Sequence, residues 1–280
     1  MSIFVLRKQS KPDMKRIIFT ILSISMLLNS ISSFAWGSKG HDIVAAIAEQ
    51  NLTPKAKKAL NELLDGKSIV YYSSWMDQIQ NSPYWEYGYN KTKTWHYANV
   101  DKGLTYETMQ KEEKGDVITG LNFLTKELKE NYAELTDSMR VDYVKMIVHM
   151  VGDLHCPMHA GRRTDRGGNG FKMKWFGQNT SLHSLWDSKI IESSRTWSYS
   201  EWRDHLDTVN KKYKKEVMQG TYEDWFTATV SNAALLYDYQ ESLGDDRMNP
   251  YEYVYKFSPM LEEQLLLGGL RLAYVLNSIF

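Results

Sequence analysis

The sequence predicts an all-α fold: a single compact multi-helix domain with one minor β-hairpin. Most segments carry apolar residues at helical spacing, and only one short segment is rich in glycine with strand-like alternation. The 280 residues are 42% hydrophobic and 13% aromatic, which is enough for a core and excludes a disordered polymer. We see no repeat, low-complexity tract or long linker that would divide the chain.

Helix signals occur throughout the chain. Residues 41–50 place Ile43, Val44 and Ile47 on one face, and Thr53-Pro54 is typical of an N-cap followed by a first-turn proline, which opens a helix to about Leu64. The same criteria predict helices over residues 116–128, 137–154, 202–215, 222–239 and 258–276.

The hairpin is predicted from residues 167–177. This segment begins with Gly-Gly-Asn-Gly, continues as Phe-Lys-Met-Lys-Trp and ends in Phe-Gly. Glycine clusters favour turns, and the alternation of Phe, Met and Trp with Lys favours a strand. We therefore expect a loop followed by a small hairpin.

Charge and cysteine content exclude several classes of protein. The chain has 34 Lys and Arg against 34 Asp and Glu, so it is not a protein that coats nucleic acid through bulk positive charge. Its one cysteine, Cys156, permits no intramolecular disulfide framework and no thiolate-rich zinc site. We expect any metal to be held by His, Asp, Glu or backbone groups, and Cys156 to be a small buried residue.

The first 35 residues predict a signal peptide that is removed. Residues 17–34 are almost free of charge, Lys15 and Arg16 precede them, and Ser33-Phe34-Ala35 provides small residues at the cleavage site. The alternative is an uncleaved membrane anchor, which the short apolar core with its Ser and Asn residues disfavours. Translation could begin at Met1 or at Met14.

Cleavage would leave residues 36–280 as one domain beginning with Trp36, which we expect to be secreted or periplasmic and without a membrane anchor. The removed segment holds five basic residues and one aspartate, so the remaining chain has a net charge of −4.

Histidines and aspartates recur at a spacing that lets their side chains act at one point. His149 and Asp153 are four residues apart in a predicted helix, and His183 and Asp187 repeat this spacing. Residues i and i+4 lie on the same face of a helix, so each pair can reach one point. Further candidates near aromatic residues are His41, Asp77, His96 and His159.

These residue types favour zinc. Neutral imidazole and carboxylate are good zinc ligands, and burying them is costly unless they are paired or bind metal. Taken singly, each histidine has a simpler explanation as a satisfied core or surface residue. Two His/Asp pairs in one chain favour the metal. His155 and His205 fit no such pattern, and we interpret them as structural.

Six motifs occur in an order that resembles a known family. They are Trp36-Gly-Ser-Lys-Gly-His41, Trp75-Met-Asp77, Trp95-His96-Tyr97, His149-Met-Val-Gly-Asp153-Leu-His-Cys-Pro-Met-His159, Asp165-Arg-Gly-Gly-Asn169 and Leu182-His183-Ser-Leu-Trp186-Asp187. This order resembles the zinc-dependent fungal and plant single-strand nucleases, which are also 3′-nucleotidases. Their distant relatives are the bacterial zinc phospholipases C. The resemblance covers most of the chain after residue 35.

The resemblance implies three Zn²⁺ ions. It assigns nine residues to them, namely Asp77, His96, His149 and Asp153 to the first, His159, His183 and Asp187 to the second, and His41, Asp153 as a bridge, and the amine and carbonyl oxygen of Trp36 to the third. The last assignment suits the expected cleavage, because an α-amine can bind zinc whereas the amide nitrogen of an uncleaved chain cannot.

The resemblance also implies a reaction. We expect hydrolysis of single-stranded DNA and RNA to 5′-nucleotides and removal of 3′-phosphates from nucleotides, with Asp77 orienting or deprotonating the attacking water. Tyr97 is our candidate for an aromatic platform on which an unstacked base lies, and a core role for it is an equal alternative. No stable protein partner is implied.

Departures from the family pattern leave alternatives open. Gln80 stands where these nucleases have an arginine that steadies the phosphate, so turnover could be lower or another cation, such as Arg162 or Arg163, could substitute. Asp165 is expected to support a zinc-bound histidine. The alternative functions are a zinc phospholipase C and a metal-binding helical protein without activity.

Overall fold

A long buried helix, Asp137–Leu154, organises the computed structural model, which describes residues 36–79, 82, 89–243 and 248–280. Every residue of this helix from Met146 to Leu154 is buried, and the helices on either side of it in the chain pack against it. The described residues fall within one compact unit, Phe34–Phe280. The predicted signal peptide and Gln80 lie outside the described residues.

The α-helices are α1 (Ser38–Gln50), α2 (Pro54–Leu63), α3 (Trp75–Ile79), α4 (Tyr89–Thr92), α5 (Val117–Glu130), α6 (Asp137–Leu154), α7 (Leu182–Ser184), α8 (Ile190–Ser194), α9 (Tyr199–Leu206), α10 (Lys211–Val217), α11 (Tyr222–Ser242) and α12 (Pro250–Ile279). Short 3₁₀ segments are Ile69–Tyr72, Lys93–His96, Tyr132–Glu134, Pro157–Ala160 and Arg163–Asp165, and Leu185–Lys189 is a π-helical turn. The strands are β1 (Lys172–Trp175) and β2 (Gln178–Ser181). This composition confirms the predicted all-α class with a minor hairpin.

Side-chain caps fix several helix starts where the sequence predicts them. The Thr53 hydroxyl accepts a hydrogen bond from the Ala56 amide at 3.2 Å, directly before the first-turn proline of α2. At α5, the Asp116 carboxylate accepts from the backbone amides of Ile118 and Thr119. Such caps satisfy amides that have no partner within the helix.

One predicted helix, residues 202–215, is wrong in its bounds, because it is two shorter helices. Ser198 forms a capping box that starts α9 three residues earlier than predicted. The Asn210 side chain accepts from the Tyr213 amide at 2.9 Å and starts α10. A residue that caps a new helix cannot at the same time continue the preceding one.

The last helix also begins earlier than predicted. Asn249 caps α12 and Pro250 occupies its first turn, so Pro259 lies inside the helix. The Ser258 hydroxyl donates to the carbonyl oxygen of Val254 at 2.6 Å. Pro259 has no amide hydrogen to donate to the carbonyl oxygen of Tyr255, four residues earlier in the helix. This carbonyl belongs to a residue that is 86% exposed.

The hairpin is antiparallel, with Lys172 opposite Ser181 and Trp175 opposite Gln178. Phe176 and Gly177 form its two-residue turn with φ values of +46° and +82°. Positive φ at both positions gives a turn that matches the twist of the strands. The second strand leads directly into His183, so the hairpin positions part of the site described below.

No described helix combines the length and the apolar character that crossing a bilayer requires.

The close approach of α1 and α12 generates a stability prediction. A methyl group on Gly269 would overlap Ile47 and lie 3.0 Å from the carbonyl oxygen of Val44, whereas one on Gly268 would meet the Val44 methyl Cγ2 at 3.2 Å. We expect Gly269→Ala to lower the free energy of unfolding by about 1–3 kcal/mol, because backbone atoms must move apart. Gly268→Ala is the matched control and should lower it less, since a side chain can yield. Chemical denaturation measures both, and equal effects would contradict the packing described.

Candidate metal centre

The carboxylate of Asp153 lies at the centre of a buried cluster of histidines. Its Oδ2 is 3.0 Å from His96 Nδ1 and 3.2 Å from His149 Nε2. Its Oδ1 is 3.3 Å from His41 Nε2 and 3.8 Å from His159 Nδ1. The two oxygens therefore face different groups of nitrogens, which is the arrangement that a bridging ligand needs.

Helix packing brings these side chains together. α6 supplies His149 and Asp153 on one buried face, as the four-residue spacing predicts. α1 supplies His41, and the 3₁₀ segment before Tyr97 supplies His96. Gly152 makes room for α1, because a methyl group there would lie 2.8 Å from His41 Nδ1.

Asp77 completes the first group of ligand atoms. It lies in the short helix α3, and its Oδ1 is 3.6 Å from His96 Nδ1 and 3.5 Å from His149 Nε2. Together with Asp153 these are the four residues predicted for the first zinc. Their nitrogens and oxygens converge within the distances that one ion could span.

A second group surrounds Asp187. Its Oδ2 is 3.0 Å from His183 Nε2, and its Oδ1 is 3.7 Å from His159 Nε2. These are the three residues predicted for the second zinc. The structure adds Cys156, whose sulfur is 3.5 Å from Asp187 Oδ1. The sequence analysis missed this contact, although Cys156 lies three residues from each of Asp153 and His159.

The third group lies where α1 begins. His41 and Asp153 contribute to it, and the fully buried Trp36 side chain lies against Gly40 and near Gly152. The Gly37 amide donates to the carbonyl oxygen of Asp187 at 2.5 Å. The residue after Trp36 is therefore tied to the turn that carries Asp187, and the ligand role of the Trp36 amine and carbonyl stays a prediction.

Backbone carbonyls orient three of the imidazoles. His149 Nδ1 donates to the carbonyl oxygen of Ser73 at 2.8 Å, His159 Nδ1 to that of His96 at 2.5 Å, and His183 Nδ1 to that of Gly167 at 2.6 Å. A carbonyl oxygen can only accept, so each of these bonds requires a proton on Nδ1. Nε2 is then the nitrogen left to bind a metal.

Several buried polar atoms at this site have no hydrogen-bond partner within the described part of the chain. They are His41 Nδ1, His96 Nε2 and His159 Nε2. A buried polar atom without a partner costs about 1–3 kcal/mol. Several such atoms in one cluster of imidazoles and carboxylates fit bound metal cations, which would satisfy them together.

Electrostatic coupling shifts the pKa values in opposite directions. Burial raises the pKa of Asp153, but the neighbouring His149 and His159 outweigh it and hold the pKa well below the usual range. Burial lowers the pKa of His149, but Asp153 and Asp77 outweigh it and raise the pKa well above its usual value. Burial also lowers the pKa of His159, but Asp153 and Asp187 outweigh it and raise the pKa to about 9. Without metal, the carboxylates are thus ionised and these imidazoles protonated at neutral pH, and metal would displace the imidazole protons.

The Cys156 thiol is neutral in the metal-free site. Burial and the nearby Asp187 carboxylate raise its pKa well above the usual value. The thiol therefore keeps its proton, and it donates a hydrogen bond to Asp187 Oδ1.

Asp165 does not contact a histidine, and the prediction of that contact is wrong. Its Oδ1 accepts from the Gly168 amide at 2.7 Å and from the Tyr237 hydroxyl at 2.9 Å. The glycine loop lies between Asp165 and the site, and it is Gly167 that meets His183. The short side chain of aspartate reaches the loop but not the imidazole behind it.

The two arginines that follow His159 are engaged elsewhere. Arg162 contacts Glu241, and Arg163 Nη1 is 2.7 Å from Glu112 Oε1. Each therefore has a carboxylate partner in this structure, and a role for either one at the phosphate stays a prediction.

Tyr97 is half-buried and directly follows His96. Its amide donates to the Thr94 carbonyl at 3.4 Å, and its own carbonyl accepts from the Val117 amide at 3.3 Å. These bonds fix the backbone next to a site residue. The proposed stacking role of its ring stays a prediction.

His155 is a structural residue. It is fully buried, its Nδ1 donates to the Val151 carbonyl oxygen at 2.8 Å, and its Nε2 is 2.9 Å from Arg271 Nη1. Burial and the arginine lower its pKa to about 3, so the ring is neutral and accepts from the guanidinium.

Comparison with known proteins places this site in a family. The chain is 29% identical to Endonuclease 3 of Arabidopsis thaliana, over 94% of this chain and 94% of that protein. It is 26% identical to Endonuclease 2 of the same plant, over 94% of this chain and 97% of that protein. It is 23% identical to Nuclease S1 of Aspergillus oryzae over 92% of this chain and 96% of that protein. The model of the S1/P1 nuclease family matches residues 36–280, and the chain therefore belongs to that family.

Proposed function

We propose that this protein is a secreted or periplasmic zinc-dependent phosphodiesterase. It would hydrolyse single-stranded DNA and RNA to 5′-nucleotides and remove 3′-phosphates from nucleotides. The membership in a nuclease family supports nucleic acid as the substrate. The observation that carries the metal requirement is the buried cluster of imidazoles and carboxylates, in which ring nitrogens of His41, His96 and His159 have no hydrogen-bond partner within the described residues.

The donor set fits three zinc ions. The first would be held by Asp77, His96, His149 and Asp153, the second by His159, His183 and Asp187, and the third by His41, Asp153 and the terminal amine and carbonyl of Trp36. Zinc bound there would supply positive charge for the phosphodiester and acidify water at neutral pH. All nitrogens and oxygens named are of types that zinc prefers.

The exposure of the side chains indicates the side from which substrate approaches. The side chains of Asp77, His96 and His183 retain 8–9% of their accessible surface, whereas those of His149 and Asp153 retain none. The reacting phosphate would thus meet the face formed by Asp77 and His96. Asp77 would accept a hydrogen bond from the attacking water and hold it in line with the phosphorus.

The deep burial of the ligand side chains supports a preference for single strands. The ligand side chains lie almost wholly below the surface, so a base must leave its stack before its phosphate can reach them. Tyr97 lies next to His96 and would offer an aromatic face to that base. This role is part of the proposal.

Removal of residues 1–35 is also part of the proposal. It would expose the amine of Trp36 beside the site and export the protein. The family match begins at residue 36, where the predicted cleavage would place the new terminus.

One set of assays tests the proposed activity. The processed protein is incubated with single-stranded DNA, RNA, 3′-AMP and a phosphatidylcholine emulsion, with and without a chelator. We expect 5′-nucleotides from the single-stranded DNA and RNA, and adenosine with free phosphate from 3′-AMP, with all products lost with the chelator and regained with zinc. Release of diacylglycerol would instead indicate a phospholipase C, which the family assignment does not favour. Bound zinc without turnover would indicate an inactive relative.

The bridging role of Asp153 predicts unequal metal loss in two matched variants. Asp153→Asn should disturb two ions, because its two oxygens face different groups of nitrogens. Asp187→Asn should disturb one, since its oxygens face only the second group. Elemental analysis of both purified variants gives the zinc content. Loss of a single ion from Asp153→Asn would contradict the bridge.

The role of Trp36 predicts dependence on the chain terminus. A variant that keeps one extra residue before Trp36 should bind one zinc fewer and lose most activity, because an amide nitrogen does not ligate zinc. The measurements are zinc stoichiometry and turnover of single-stranded DNA. Full metal content and activity in this variant would refute the terminal ligand.

A further inference from the structure

Cys156 occupies an unusual position for a buried cysteine. It is fully buried in the turn between α6 and the 3₁₀ segment Pro157–Ala160. Its sulfur faces a carboxylate, with Asp187 Oδ1 at 3.5 Å. A cysteine that only fills space would lie among apolar atoms.

One neighbour of this sulfur has unmet bonding capacity. His159 Nε2 is buried and has no hydrogen-bond partner within the described chain, and His159 and Asp187 are both 97% buried. One ligand atom each from Cys156, His159 and Asp187 lie within 4.8 Å of one another. Three possible metal ligands, one of them an unpartnered imidazole nitrogen, thus converge on one small volume.

We propose that Cys156 is a thiolate ligand of the second metal ion, which is thereby held by Cys156, His159, His183 and Asp187. This inference rests on the metal binding put forward under the proposed function. Cys156 is thus an additional ligand, because the sequence alone predicts only a small buried residue at this position.

The distance between the Cys156 sulfur and Asp187 Oδ1 equals that between two ligands of one tetrahedral zinc ion. Zn–S bonds of about 2.3 Å and Zn–O bonds of about 2.0 Å, at a tetrahedral angle, place sulfur and oxygen about 3.5 Å apart. The sulfur of Cys156 is 3.5 Å from Asp187 Oδ1 in the structure. The pair therefore has the separation of two ligands of one ion before any ion is bound.

Charge balance favours the same assignment. When the Zn–S bond forms, the thiol proton leaves to solvent, and the thiolate and the Asp187 carboxylate together neutralise the two charges of zinc. His159 and His183 bind as neutral imidazoles. A neutral assembly is less costly to bury than one with excess charge.

A shared metal would connect two parts of the fold. Cys156 and His159 lie in the turn after α6 and Asp187 in the turn after the hairpin, so an ion held by them would tie these two turns together.

X-ray absorption spectroscopy at the zinc edge tests this ligand directly. Cys156 is the only cysteine of the chain, so a sulfur scatterer at about 2.3 Å identifies it. We expect this shell in the processed, zinc-loaded protein, at about one sulfur per three zinc ions. Cys156→Ser should abolish it. Met158→Leu is the control, because it removes a buried sulfur from the same turn and should leave the shell unchanged.

Cobalt substitution provides a second readout. The cobalt-loaded protein should show thiolate-to-metal charge-transfer absorption, which Cys156→Ser abolishes and Met158→Leu retains. Zinc bound only by nitrogen and oxygen would overturn the Cys156 ligand and leave the proposed function standing. A processed protein that binds no zinc would overturn both. If Cys156→Ser does not fold, the spectrum of the unsubstituted protein decides the question.

Discussion

The burial of Asp153 among histidines is the constraint on which the rest of this structure depends. A carboxylate without solvent needs compensating charge or hydrogen bonds. Here four imidazoles from three separate parts of the chain approach its two oxygens. α1, α6 and the loops around them must therefore hold their positions closely, and the backbone carbonyls of Ser73, His96 and Gly167 orient the rings that complete the cluster.

Much of the fold could be predicted from the sequence where a local signal decides the outcome. The cap at Thr53 and the apolar face of 137–154 place their helices within a residue of the observed bounds. The failures occur where two local signals compete. In 202–215 the apolar spacing favours one helix, but the capping side chain of Asn210 divides it. Pro259 is typical of a helix start, but Asn249 and Pro250 carry the same signal earlier in the chain and start α12 there.

In the candidate site too, contacts within one helix could be predicted from the sequence, whereas contacts between distant segments could not. The spacing of His149 and Asp153 predicts a shared face because both lie on one helix. The hydrogen bond from His183 to Gly167 joins residues 16 apart through a hairpin, and no spacing rule predicts it. Cys156 is similar, since its partner Asp187 lies 31 residues away. Asp165 shows the reverse error, because a residue near the site in sequence can support the loop instead of the ligand.

The scattered origin of these ligands affects how the chain unfolds. They come from α1, α3, the segment before Tyr97, α6 with the turn that follows it, and the turn after the hairpin, so bound ions would connect five stretches that are remote in sequence. Because such a site forms only in the folded chain, ions bound there would stabilise the folded state by mass action. A chain with one cysteine has no covalent substitute. Metal supply in its surroundings would then govern how long the folded protein survives proteases, independently of any turnover.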